Sequence, residues 1–192
     1  MKRRRRKTRL VNIKIPQKFL MPIAFVIGVS TGYFIIGEAI TPNIQLNTQE
    51  ARVCFTPGGN CASQVISAID KAREEILVQA YAFTSSPIAE ALIKAKNRAV
   101  RVEVLYDKKA SQDSHSQIST LGNVGIKVYP EKTNGIAHNK VIIIDRNLLI
   151  TGSYNWTNAA EHRNSENLLI ISNPELAQQY AENWKRLTRL EQ

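Results

Sequence analysis

Two short apolar runs, KVIIID (140–145) and LLITGS (148–153), stand only two residues apart. Runs of that length, rich in Ile, Leu and Val, read as buried strands, and the Arg146-Asn147 link folds one back on the other as a hairpin. An antiparallel pair is thus built into the chain, and the pattern around it alternates. Val65, Ile66, Ile69 and Ala72 recur at helical spacing over 62–73, and ILVQAYAF (76–83) reads as a largely buried strand. Ser86 and Pro87 cap and open a helix to about Arg98, with Ile88, Leu92, Ile93 and Ala95 inward. VRVEVLYD (100–107) alternates as a strand, 111–121 reads as helical, and IKVY (126–129) follows Gly122 and Gly125 as a short strand. ENLLIIS (166–172) is one more strand. Asn173-Pro174 starts a final amphipathic helix with Leu176, Tyr180, Trp184 and Leu187 on its core side. The expected class is α/β, an α-β-α sandwich around a mixed β-sheet.

The first forty residues differ from this body. Residues 1–18 form a basic tail, and Phe19 to Gly37 run nineteen residues without a charge. That is about the length of a membrane-spanning helix, so 19–40 reads as a transmembrane anchor or, with Gly37-Glu38-Ala39 as small residues before a cut, as a signal sequence. Either way the cations stay cytoplasmic and the body is exported, to a periplasmic or other extracytoplasmic compartment. Nine of the 26 Lys and Arg lie in the first twenty residues, and residues 41–192 carry 17 basic against 15 acidic groups. The net charge of +10 therefore belongs to the tail, and its arginine run most simply sets topology. Anion binding by the near-neutral body must be local. Residues 41–50, polar and containing Pro42, read as a linker, leaving 51–192 as the catalytic domain.

Cys54 and Cys61 are the chain's two cysteines, with Pro57, Gly58 and Gly59 between them to form a turn. An exported domain permits a disulfide between them; the alternative is a pair of free thiols. A zinc site would need two further ligands, and no Cys or His lies nearby to supply them.

The chemistry is concentrated in HNKVIIIDRNLLITGSYNWTNAAEHRNSENLLII (138–171). His138 and Lys140 stand two apart at the start of a strand and so point to one face. The hairpin brings Ser153 and Asn155, again two apart, back to the same edge, and Glu166 begins the next strand. An imidazole, an ammonium, a hydroxyl, a carboxamide and a carboxylate converge there without a metal, which suits a phosphate group.

These residues resemble the phospholipase D superfamily, whose signature H-x-K-x4-D is met by His138, Lys140 and Asp145, and whose G-S-x-N is met by Gly152, Ser153, Tyr154 and Asn155. The likeness is closest to small, exported, single-motif bacterial endonucleases, runs from about Val53 to the C-terminus, and includes N-S-E-N at 164–167. It implies that His138 is the nucleophile, forming a phosphohistidine, with Glu166 fixing its tautomer. Lys140, Ser153 and Asn155 would hold the phosphate oxygens. Asp145 and Gly152 would serve structure, Asp145 by bracing the hairpin. With one motif per chain, two copies are expected to pair as a homodimer, each supplying one His138, one as nucleophile and one as acid. No cofactor or metal is implied, since cationic and amide groups supply the charge stabilisation.

The expected function is a metal-independent phosphodiesterase, foremost a non-specific endonuclease cleaving DNA or RNA. The alternative is a phospholipase D acting on phosphatidyl headgroups, which tethering through 19–37 favours sterically. A non-catalytic membrane-tethered binding module is disfavoured, because a binder has no need of a positioned imidazole. His115 reads as a solvated residue and His162 as an exposed loop position. Tyr154 and Trp156, alternating with Ser153 and Asn155, face away from the phosphate toward core or dimer contact. Lys108, Lys109 and Arg163 are candidate attractors of a polyanion.

Overall fold

The computed structural model describes residues 50–189, and the basic tail and the anchor or signal segment lie outside them. No helix among the described residues is long and apolar enough to cross a membrane. A seven-stranded mixed sheet runs β1-β7-β6-β5-β2-β3-β4. Its strands are β1 (Glu50–Thr56), β2 (Glu75–Ala80), β3 (Arg101–Tyr106), β4 (Lys127–Pro130), β5 (Lys140–Ile144), β6 (Leu148–Gly152) and β7 (Glu166–Ser172). β2, β3 and β4 are parallel, joined by helical crossovers, whereas β5, β6, β7 and β1 are antiparallel additions.

Alternation along the central strands sorts the core onto two faces. Ile76, Val78, Val104, Ile142 and Ile150 face α1 (Cys61–Lys71), α2 (Ser86–Asn97), α3 (Ile118–Asn123) and α4 (Asn158–His162). Leu77, Leu105, Val141, Ile143 and Leu149 face α5 (Pro174–Arg189), which among the described helices alone covers that side, with Ala177, Ala181 and Trp184. The three-layer expectation therefore holds with unequal layers. Because α5 packs on β2, β5 and β6, the outer strands on its side carry uncovered apolar groups: Val53 is 52%, Phe55 62% and Leu169 37% exposed.

Three local readings are corrected. Glu50, read as the last linker residue, instead opens β1, which pairs with β7 from Glu50↔Ser172 to Thr56↔Glu166. The segment 111–121 is a 3-10 turn at Ala110–Gln112 followed by α3, because the Asp113 carboxylate accepts from the His115 N–H at 2.8 Å and competes with helix. The hairpin turns one residue earlier than Arg146-Asn147. Asp145 and Arg146 hold the positive φ values, 50° and 49°, and Asn147 N–H closes the turn on Ile144 O at 3.0 Å. Cys54 and Cys61 are joined as a disulfide that ties β1 to the start of α1.

Candidate active site

The C-terminal ends of β1, β2, β3 and β6 and the N-terminal ends of β5 and β7 meet at one edge of the sheet. Ligands of open α/β sheets bind beyond such carboxyl ends. The edge is assembled from four sequence-distant pieces. Tyr81 N–H, just past β2, donates to Asn139 O at 3.1 Å, and Asp107 N–H, just past β3, donates to Ala80 O at 3.0 Å. The Asp107 carboxylate, 5% exposed, then accepts from Ala110 N–H at 2.7 Å and from Ala137 N–H at 2.9 Å. The segment arriving from β4 is thereby clamped one residue before His138.

His138 is exposed, and its ring leans on Tyr81 with centroids 4.6 Å apart. Lys140, opposite Ala80 in the β5–β2 register, is 6% exposed. Its Nζ donates to His138 O at 2.7 Å and stands 5.0 Å from the centre of the Tyr81 ring. One aromatic ring thus seats both the imidazole and the ammonium. Burial lowers the Lys140 pKa below the ordinary lysine range, while the Glu166 charge works in the opposite direction. A desolvated ammonium acts more strongly on a nearby phosphate than a solvated one.

On the other strand pair, Gly152 is dictated by a close approach: a Cβ there would lie 2.2 Å from Asn167 O. Ser153 and Tyr154 both donate backbone N–H groups to that oxygen, at 3.1 and 3.3 Å. Tyr154 and Trp156 are buried, as their alternation requires, and their polar atoms are bonded. Tyr154 Oη donates to Glu161 at 2.8 Å, Trp156 Nε1 donates to Gln79 O at 3.1 Å, and Trp156 O accepts from Thr84 and Ser85. Asn155 is fixed between these two aromatics. Its Oδ1 is buried with no hydrogen-bond partner among the described residues.

Glu166 and Ser153 engage differently from expectation. Glu166 accepts from Ser153 Oγ at 2.5 Å and from Asn164 Nδ2 at 2.9 Å, and Ser153 Oγ in turn accepts from Asn167 N–H at 3.1 Å. The Ser153 hydroxyl is therefore committed within the chain. No hydrogen bond joins Glu166 to His138 among the described residues, because β6 lies between β7 and β5. Asp145 is at the opposite end of β5, where its carboxylate accepts from the backbone N–H groups of Arg73, Glu74 and Glu75 at 2.8–2.9 Å. His162 and His115 are exposed, and His115 bonds Ser114 and Asp113. Tyr81 and Asp107 were not singled out from sequence. Asp107 ends the strand reading 100–107, whereas Tyr81 lies inside the reading 76–83; in the fold each follows the last residue of its strand, Tyr106 of β3 and Ala80 of β2.

Replacing Lys140 by methionine is expected to lower kcat/KM by about 10²–10³, the usual scale for one preorganised charge donor. Because the protonated lysine is the competent form and its pKa is lowered, activity should fall as pH rises, at a pH below the ordinary lysine range. In Lys140→Arg that alkaline limb should vanish from the accessible range. An unchanged limb in the arginine variant would assign it to another group.

Comparison with known proteins agrees in one direction. Residues 65–188 match the family model described as cardiolipin synthase, PLD-like domain. The chain is 39% identical over 181 residues to a protein named phospholipase D from Rickettsia bellii, covering 84% of this chain and 90% of that one. It is 35% identical over 135 residues to the mitochondrial cardiolipin hydrolase of Homo sapiens, covering 70% of this chain and 54% of the hydrolase. Among solved structures it is similar to Nuc, a phospholipase D family member from Salmonella typhimurium, with TM-score 0.69 and 37% identity over 73% of this chain and 94% of Nuc.

Proposed function

The chain belongs to the phospholipase D superfamily, a group of phosphodiesterases, and from that premise we propose that it is a non-specific endonuclease that cleaves DNA or RNA through a phosphohistidine on His138. The observation that carries the chemistry is the seating of an exposed imidazole on Tyr81 beside the buried Lys140 ammonium, with the uncommitted Asn155 carboxamide at the same edge. A ring nitrogen of His138 attacks phosphorus and the bond to the leaving oxygen breaks. Lys140 and Asn155 hold the non-bridging oxygens as charge shifts onto them. A proton donor must meet the leaving oxygen, and among the described residues the ring contact of His138 is with Tyr81 and not with a second imidazole. A second copy of the chain supplies it from its own His138. Water then attacks the phosphohistidine, its proton returning to that second imidazole, and the net reaction is diester plus water to monoester plus alcohol.

Two features favour the paired, exported form. The exposed Val53, Phe55 and Leu169 share one face of the β1–β7 pair and offer apolar surface for a second copy to cover. The Cys54–Cys61 disulfide suits an oxidising compartment beyond the membrane that the 19–37 segment would span.

Headgroup hydrolysis of a phospholipid is the second reading. It is favoured by the rickettsial relatives that bear the name phospholipase D and by Ile136, 55% exposed two residues before His138. The deciding experiment incubates the detergent-solubilised full-length protein with plasmid DNA, RNA and phosphatidylcholine vesicles in EDTA, beside His138→Ala. Cleavage of both nucleic acids by the unmodified chain alone is expected. Release of choline with no nucleic-acid cleavage would replace the leading substrate by the lipid, and loss of turnover in EDTA would overturn the metal-independent route.

A further inference from the structure

The segment that delivers His138 also forms one wall of a second feature. A groove of about 750 Å³ opens beside it, with Lys108 and Lys109 past β3, Lys132 on the segment after β4, and Arg186 on α5 around its rim. All four cations are exposed. Two acids, Asp107 and Glu131, share the groove with these cations. Asp107 is 5% exposed and spends both oxygens on the Ala110 and Ala137 N–H groups. Glu131 is pushed toward its neutral form, first by burial and then by the neighbouring Asp107 charge, with Arg186 opposing. Cations therefore outnumber acids along the groove, and the Asp107 carboxylate beneath the rim is turned inward onto the Ala110 and Ala137 N–H groups.

We propose that this groove binds phosphates of a polynucleotide that flank the phosphate attacked by His138. The inference rests on the endonuclease reading and adds where the strand runs. Gly135, on the groove wall, is three residues from His138, at most about 11 Å of chain. With successive phosphates of one strand about 3.4 Å apart along a helix axis, the groove begins roughly three nucleotides from the cut. A single diacyl phospholipid has one phosphate to offer, whereas the groove carries cations at several points along its rim. The near-neutral body thus sets four of its 17 cations where a long polyanion would lie.

The test compares the full-length protein with Lys108→Gln/Lys109→Gln on three substrates: a single-stranded oligonucleotide of about twenty bases, bis(p-nitrophenyl) phosphate, and phosphatidylglycerol vesicles. The small diester reports the chemistry without flanking phosphates. The expected result is a loss of kcat/KM on the oligonucleotide about tenfold greater than on the small diester. The slope of log(kcat/KM) against log[salt] should also become shallower by about 1.4, the value for two single-strand phosphate contacts. Cleavage of the oligonucleotide with ratio and slope both unchanged would overturn the groove while leaving the endonuclease reading intact. A wild-type chain that hydrolyses the small diester and no nucleic acid would overturn that reading and the groove with it. An equal loss on vesicles and oligonucleotide would reassign the cations to a charged lipid surface.

Discussion

Exchange of His138 for asparagine should reduce kcat by at least about 10⁴, because it removes the attacking nitrogen and, in a paired site, the proton donor as well. The fold should be unaffected, since the His138 ring is exposed and touches the rest of the chain mainly through Tyr81. Neither the ring's neighbours nor the clamp on Ala137 depends on the imidazole. The same variant tests the pairing. If each reaction consumes one imidazole from each copy, only pairs of two intact chains turn over, and activity follows the square of the intact fraction. Refolding or coexpressing equal amounts of wild-type and variant chains should then leave about one quarter of full specific activity. A linear fall to about one half would mean that one chain holds everything the reaction needs.

Asp145→Ala should act on stability instead. Three backbone donors, from Arg73, Glu74 and Glu75, converge on this carboxylate at 2.8–2.9 Å, and the residue sits in a turn at φ 50°. Aspartate tolerates that region far better than alanine. Leaving the donors to water and placing alanine there should cost about 3 kcal/mol, or on the order of 10 °C in Tm for a domain of this size. Well below the melting point, kcat should remain within about threefold of wild type, because Asp145 lies at the far end of β5 from Lys140. A loss of kcat beyond a hundredfold in protein that melts normally would move Asp145 into the reaction.

The contrast between these two residues of one short motif shows what spacing conveys. His138 and Lys140 could be placed together because two positions in one strand share a face, and the hairpin brought Gly152, Ser153 and Asn155 to the same edge without knowledge of the rest of the sheet. The order of the strands was another matter. Glu166 begins the strand next to β6, so within one chain it meets Ser153 and Asn164 while β6 holds it off from His138. Tyr81 and Asp107 stayed hidden for the same reason: each lies far along the chain from His138, and the pairing of β2 with both β3 and β5 makes them neighbours. β1 went unread because its alternating RVCFT leaves the inward places to Cys54 and Thr56, while the larger Val53 and Phe55 lie on the α5 face beyond the strands that α5 packs on.

β1 also sets where any handle attached upstream must pull. Its first residue, Glu50, pairs with Ser172 at the rim opposite the reactive one, and its last, Thr56, pairs with Glu166. The strand's length, about 20 Å, separates the two rims. A bead or display scaffold coupled ahead of Glu50 would therefore hold the molecule by its back and leave the phosphate-handling rim turned toward bulk liquid.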